Sequence, residues 1–481
     1  MSSEIRVRFA PSPTGYLHVG GLRTALYDYL YARKVGGKFV LRIEDTDQVR
    51  YVDGAVENLI KSLKMVGLEY DEGPDVGGEF GPYFQSERTE LYKAHAQELM
   101  DNDAAYRCFC TPEELTKQRE EQKAKGLDTR YDGRCRKLTK EEIEAKMTND
   151  EPYTIRLKVP QEGEIVFYDI VRDRVAFGWE TVDDQVLIKS DGFPTYHLAN
   201  VVDDHLMGIS HVIRGEEWLP STPKHIFMYQ VFGWKPPKWI HLPLILNPDK
   251  SKLSKRQGDV ATEDFLKKGF LPEALLNFIA LLGWHPAGDR ELFTLDELVQ
   301  EFSLKRLTKA GSVFDLEKLK WMNSHYLKTL ETGYIAIKAK PFFEAAGIDI
   351  SDKEKFEQII EFAKERATTL ADLPELTKSF YLDLDFSEED KELIETEMSQ
   401  NVYKFWFEKL TEIEDINDAS INALLHQTTD ATGAKGKNLY FPIRLALFGS
   451  VHGPELPMII NILGLEKSLE RLNSIIKGKS F

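Results

Sequence analysis

The stretch Ile5-Arg6-Val7-Arg8-Phe9, continued by Ala10-Pro11-Ser12-Pro13-Thr14-Gly15-Tyr16-Leu17-His18-Val19-Gly20-Gly21, decides the fold. Its first five residues alternate apolar and charged side chains, the period of a strand. Behind the glycine pair, Leu22, Ala25, Leu26, Tyr29 and Leu30 recur at helical spacing. Lys38-Phe39-Val40-Leu41-Arg42-Ile43 reads as a second strand, and Val56, Leu59, Ile60 and Leu63 mark a second amphipathic helix. Strand, helix, strand, helix at this spacing predicts a doubly wound parallel α/β sheet. From about Ser86 to Gly192 the alternation dissolves, so this segment reads as an insertion. The rhythm returns with His211-Val212-Ile213-Arg214, a helix from about Ser221 to Phe232, and a strand over Trp239 to Ile245. From about Asp264 onward the apolar pattern is helical.

Composition narrows the class. The 481 residues carry 62 lysines and arginines against 79 acids, a net charge of −17, which argues against a generally basic nucleic-acid coat. A local basic groove remains compatible with that total. With 42% apolar and 11% aromatic residues the chain can bury a sizeable core. No apolar run approaches the roughly 18 residues of a spanning helix. Met1-Ser2-Ser3-Glu4-Ile5-Arg6 shows no basic and then apolar leader. The expectation is a cytoplasmic enzyme with no membrane contact.

The loop before the first helix contains neither G-x-G-x-x-G nor G-x-x-x-x-G-K-[ST]. Its prolines stiffen the turn, and Gly20 and Gly21 let a ligand approach a helix N-terminus, which suits phosphate. His18 stands where it could donate to charge developing on an α-phosphate. Taken alone, the segment has a plainer reading as an ordinary turn with a surface histidine. A second segment shifts the weight. Lys250-Ser251-Lys252-Leu253-Ser254-Lys255-Arg256-Gln257-Gly258 follows the last strand, carries several cations with no acid before Gly258, and lies where parallel strands open onto a ligand crevice.

Together these segments resemble the paired HIGH and KMSKS signatures of class I aminoacyl-tRNA synthetases, here His18-Val19-Gly20-Gly21 and Lys252-Leu253-Ser254-Lys255-Arg256. The departures, glycine at position 21 and arginine at 256, are similar to the bacterial glutamyl branch, as are Arg42-Ile43-Glu44-Asp45-Thr46-Asp47 and Arg214-Gly215-Glu216-Glu217-Trp218. The resemblance implies a Rossmann-like catalytic domain (1–85 and 193–260) with an inserted acceptor-stem-binding subdomain (86–192). A helical stem-contact region (261–330) and an all-α anticodon-binding domain (331–481) would follow. It also implies activation of L-glutamate with ATP and Mg2+, then transfer to the 3′ end of tRNA(Glu) by a monomer. His18, Gly20, Gly21, Lys252 and Lys255 would serve ATP. Arg8, Tyr196 and Asn200 would hold the side-chain carboxylate of glutamate, and Arg214 the α-carboxylate. Glu44, Ser12 and the carbonyl of Ala10 would hold the ammonium, with Trp218 as a wall. An arginine fork pairs bidentately with a carboxylate, so two arginines around one ligand favour glutamate over neutral glutamine.

All three cysteines fall between Cys108 and Cys135, and zinc wants four ligands. The family commonly shows C-x-C followed by C-x-H, but Lys137 occupies the histidine place. A variant of the family places tyrosine four residues before the last cysteine, where Tyr131 stands, so the resemblance implies a structural Zn2+ on Cys108, Cys110, Tyr131 and Cys135. Three unligated thiols are the plainer alternative. Gly433-Ala434-Lys435-Gly436-Lys437 reads as an interhelical loop, Glu113 to Lys125 as a solvated helix face, and His197, His205 and His211 show no metal-ligand spacing. Rival readings are a glutaminyl enzyme, a small-molecule nucleotidyltransferase, a paralogue that glutamylates a tRNA base, and a non-catalytic RNA-binding protein.

Overall fold

β1 (Arg6–Phe9), α1 (Val19–Val35), β2 (Lys38–Leu41) and α2 (Ala55–Met65) follow one another in the computed structural model, which describes residues 4–253, 260–413 and 416–478. β1 and β2 are parallel, with Arg6 opposite Lys38 and Phe9 opposite Leu41. α1 ends where Gly36 takes a left-handed φ of 66°, a conformation open to glycine at little cost. The apolar stripe of α1 is broader than its sequence spacing suggests. Tyr27 and Asp28 are fully buried alongside Leu22, Ala25, Leu26 and Leu30, while Tyr29 is only half-buried. The reason is a second partner beyond the sheet: the Tyr27 hydroxyl donates to the carbonyls of Ala280 at 3.0 Å and Leu282 at 3.1 Å.

The segment read as an insertion supplies α3 (Thr89–Asp101), β3 (Ala105–Cys108), α4 (Pro112–Ala124), α5 (Lys140–Thr148), β4 (Thr154–Leu157), β5 (Glu164–Asp169), β6 (Asp173–Gly178) and β7 (Val186–Ile188). β3, β4 and β7 form an antiparallel sheet of their own. α4 starts at a capping box, Thr111 with Glu114, and buries only Gln118, so its charged run is solvated. α6 (Tyr196–Leu206), β8 (His211–Gly215), α7 (Thr222–Val231) and β9 (Lys238–Leu242) restore the winding. β8 and β9 are parallel, and the sheet order is β6-β5-β9-β8. The antiparallel hairpin β5–β6, although it lies within 86–192, therefore belongs to this main sheet through the parallel pairing of Asp169 with Trp239. β1 is tied to the start of β8 at Ser210, whose backbone N–H donates to Arg6 O at 2.9 Å.

The strand expected over Trp239 to Ile245 stops at Leu242, because Pro243 has no N–H to continue the ladder. Ile245–Leu246 pairs instead, in parallel, with Ser312–Val313, a short strand inside the stretch whose pattern reads as helical. The chain divides into two compact units. One comprises residues up to Lys267 with Pro272–Leu319, the other Lys268–Leu271 with Lys320–Phe481. That division falls inside the helix Leu316–Thr329, so no turn or composition shift announces it. The second unit is helical throughout its described residues, and its core includes Tyr403 and Trp406, both fully buried. Gly433 ends the helix Asp418–Thr432 in the left-handed region, and the next helix begins at Lys437, so Gly433 to Lys437 is an interhelical loop.

Candidate active site

The loop after β1 opens a cleft of ≈ 870 Å³ at the carboxyl ends of β1 and β8, within the size range of small-molecule sites. Arg8, Ala10, Ser12, His18, Gly20, Gly21, Glu44, Tyr196, Arg214, Trp218 and Lys252 all line it. His18 is the N-cap of α1, and its Nδ1 accepts the Gly20 N–H at 2.9 Å. In the neutral ring the proton then sits on Nε2, making that nitrogen a donor. A Cβ at Gly20 would lie 3.2 Å from His18 Nδ1, so glycine keeps this cap unobstructed. The loop is anchored by Val19 N–H to Val260 O at 2.9 Å and Thr262 N–H to Leu17 O at 2.8 Å. These bonds join it to the residues that follow the Ser/Lys segment. Lys252 is exposed at the cleft, 3.7 Å from Glu217 Oε1. Lys255 and Arg256 lie outside the described residues.

The floor of the cleft is a buried charge cluster. Arg8 Nε donates to Asp204 Oδ1 at 3.0 Å and Nη2 to Oδ2 at 3.3 Å, while Arg42 Nη1 donates to Oδ1 at 2.8 Å. Arg42 Nη2 reaches Glu44 Oε1 at 3.1 Å. Burial pushes the Asp204 carboxyl up, but Arg8 and Arg42 together hold it below the usual carboxylate range. For Glu44 burial wins over the pull of Arg42 and Arg8, and its carboxyl is pushed up to about 7. Asp28 is fully buried with neither oxygen hydrogen-bonded among the described residues, and burial raises its carboxyl well above the usual range. Asp203 is occupied by Arg88 at 2.8 Å, Gln85 at 2.9 Å and Tyr92 at 2.7 Å.

Arg214, at the end of β8, is held without any carboxylate among the described residues. Nε donates to His241 Nε2 at 3.0 Å, and Nη1 to the Tyr196 hydroxyl at 3.0 Å and His225 Nδ1 at 3.2 Å. Nη2 donates to Thr222 Oγ1 at 2.9 Å and to the Trp218 carbonyl at 3.4 Å. Tyr196 and Trp218 pack with ring centres 4.1 Å apart and planes tilted by 38°, and form one wall. Asn200 departs from expectation. It is buried, does not line the cleft, and its Nδ2 has no hydrogen-bond partner, an orphan donor beside Val201 on α6.

In the first unit, away from this cleft, the sulfurs of Cys108, Cys110 and Cys135 lie within 4.8 Å of one another. The Tyr131 hydroxyl is 3.3 Å from Cys108 Sγ and 3.6 Å from Cys110 Sγ, and it accepts the Cys135 N–H at 3.0 Å. Hydrogen bonds from Cys135 and then Tyr131 bring the Cys108 thiol down, while the same contacts hold the Cys135 thiol up and burial, with those contacts, the Tyr131 hydroxyl. Four donors converging from two loops fit one tetrahedral ion.

A family model described as tRNA synthetases class I (E and Q), catalytic domain, matches residues 4–321, and an anticodon binding domain model matches 334–476. A glutamate–tRNA ligase of Clostridioides difficile is 46% identical, covering 98% of both chains. One of Alkaliphilus metalliredigens is 47% identical over 98% of this chain and 99% of its own. The chain belongs to the glutamate–tRNA ligase family. A crystal structure of a glutamate tRNA ligase from Elizabethkingia meningosepticum in complex with its amino acid superposes with a TM-score of 0.91, at 39% identity, covering 99% of this chain and 100% of that one.

Knowing the family does not by itself explain the charge in this cleft. The sequence argument set Arg8 and Arg214 together as two cations awaiting one ligand. Arg8 instead shares Asp204 with Arg42, so Asp204 and Arg42 were missing from the site as read. Arg8 and Arg42 share Asp204, and Arg42 also meets Glu44. Arg214 and Arg23 both line the cleft with no carboxylate among their hydrogen-bond partners in the described residues. Arg23 was also missed. It lines the cleft and donates to the carbonyls of Leu282 at 2.9 Å and Pro243.

Proposed function

We propose the following division of labour for the glutamate–tRNA ligase reaction in this chain. Glutamate carries one net negative charge, whereas glutamine is neutral. The positive charge of Arg214, which meets no carboxylate among the described residues, is the observation that favours glutamate. Arg214 takes the α-carboxylate, with Tyr196 bridging. Arg8, held by Asp204, faces the side-chain carboxylate. Glu44, Ser12 and the Ala10 carbonyl take the ammonium.

An α-carboxylate oxygen attacks the α-phosphorus of ATP, the bond to the β-phosphate breaks, and pyrophosphate leaves with the electron pair. Such chemistry is mostly positioning and electrostatics. His18 Nε2–H and the amide at Gly21 stabilise the α-phosphate, and Lys252, with Lys255, the departing pyrophosphate. Magnesium accompanies ATP and neutralises part of its phosphate charge. The terminal ribose hydroxyl of tRNA(Glu) then attacks the activated carbonyl, and AMP leaves. ATP–pyrophosphate exchange with glutamate and with glutamine, each with and without tRNA, tests this reading; glutamine supporting exchange as well as glutamate would overturn it.

The ammonium role of Glu44 has a pH signature. An ammonium binds the ionised carboxylate, and with Glu44 near 7 its ionised fraction falls from about nine-tenths at pH 8 to about one-tenth at pH 6. The KM for glutamate should therefore rise about tenfold over that span, and Glu44→Gln should abolish the slope. A flat KM in the unmodified protein would assign the ammonium elsewhere.

At the cysteine cluster the structural Zn2+ would be bound by Cys108, Cys110, Tyr131 and Cys135, where it would lock the loops of the inserted sheet. Protein purified without chelators should carry about one zinc per chain, and Cys135→Ser should lose most of it. Metal analysis at zero would remove the metal from the account.

A further inference from the structure

The guanidinium of Arg214 is gripped by a chain of buried histidines whose protonation pattern it dictates. Arginine can only donate, so both ring nitrogens facing it must be bare. His241 Nε2 is one, and its proton is therefore on Nδ1, which meets Asp169 Oδ2 at 2.7 Å. His225 Nδ1 is the other, and its proton is on Nε2, which meets His197 Nδ1 at 3.1 Å. His197 in turn must carry its own proton on Nε2, and it lines the cleft. Asp169 is fixed at the end of β5: its Oδ1 accepts the N–H groups of Val171 and Arg172, both at 2.8 Å, and its Oδ2 the N–H of His241 at 3.1 Å. Side chains from β5, β9, α6 and α7 thus converge on one residue of β8.

Burial, with Arg214 adding to it, keeps the rings neutral. The His197 imidazole is pushed down to about 3, His241 to about 4, and His225 well below its ordinary value. A neutral acceptor holds a guanidinium without cancelling its charge, which a carboxylate would do. Arg8 shows the contrasting arrangement, since Asp204 takes most of its charge.

We propose that His225 and His241, set in tautomer by His197 and Asp169, are positioning residues that fix the plane of Arg214 and leave its charge to the α-carboxylate of glutamate. The proposal rests on the reading of Arg214 as the α-carboxylate site. It explains why the five donors of Arg214 are all engaged while its charge stays unpaired. The weakest contact, the 3.4 Å bond to the Trp218 carbonyl, is the one a ligand oxygen displaces most cheaply.

Steady-state charging kinetics of the full chain separate the possibilities. His241→Ala should raise the KM for glutamate at least tenfold while the KM for ATP stays within twofold. His241→Gln should restore it to within threefold, because the amide oxygen accepts from Arg214 and the amide nitrogen donates to Asp169. In an Arg214→Gln background, His241→Ala should add less than twofold. If Arg214→Gln leaves the glutamate KM unchanged, the α-carboxylate reading itself fails. If Arg214→Gln raises it and His241→Ala does not, or if His241→Ala raises both constants without rescue by glutamine, the positioning role is wrong. Should His241→Ala fail to fold, His225→Ala and His225→Gln carry the same expectations.

Discussion

Replacing Asp204 with alanine should destabilise the catalytic unit by about 3–5 kcal/mol, the cost of stranding buried charge. Asp204 is fully enclosed and takes bonds from Arg8 at 3.0 and 3.3 Å and from Arg42 at 2.8 Å. Without it two buried guanidinium groups face each other, and Arg8 loses its ion-pair partner while Arg42 keeps only Glu44 at 3.1 Å and Asp203 at 3.9 Å among the described residues. The loss should appear in calorimetry as a fall of roughly 10 °C in the Tm of the transition that involves this unit. Glu90→Ala is the contrast. Its 2.8 Å pair with Lys93 is solvated on both sides, and such a loss should stay within about 0.5 kcal/mol. Equal shifts for the two variants would mean that the cluster relaxes to reach water and is not a fixed floor.

The same residue shows where sequence reading stops. Arg8 was legible because it alternates with Val7 and Phe9 on a strand that leads into a recognisable loop. Its partner lies on α6, far along the chain, where Asp203 and Asp204 follow Val201 and Val202. A helical stripe read by hydrophobic spacing assigns adjacent acids to solvent, since acids are rarely buried unless paired. The pairing exists only after α6 has packed under β1. The histidines around Arg214 are hidden for a related reason. Metal-ligand spacing is a local pattern, whereas His225 and His241 meet Arg214 from a separate helix and strand. The hairpin β5–β6 was hidden because its alternation, buried at Ile165 and Phe167 and exposed at Val166 and Tyr168, does not say which sheet it joins. By contrast the three cysteines stand out by order, with a single residue between Cys108 and Cys110 at a strand end, whereas Tyr131 was indicated only by resemblance to a variant of the family.

His18→Ala should lower adenylate formation by about 10²–10³-fold, the effect of removing one preorganised donor from charge developing on a transferring group. It should also cost about 1 kcal/mol of stability, because His18 caps α1 by accepting the Gly20 N–H at 2.9 Å. The two consequences can be separated. Asparagine is among the best N-cap residues, so His18→Asn should regain the stability. Its amide is too short to reach as far as the imidazole Nε2, so activation should stay low. Single-turnover exchange at saturating glutamate reports activation, and thermal unfolding reports the cap. Glutamate binding should be nearly unchanged in both variants, because the pocket groups Arg8, Glu44 and Arg214 are set by contacts that do not include His18. If His18→Asn restored activation together with stability, the histidine would be a helix cap and nothing more, and stabilisation of the α-phosphate would pass to the amide at Gly21.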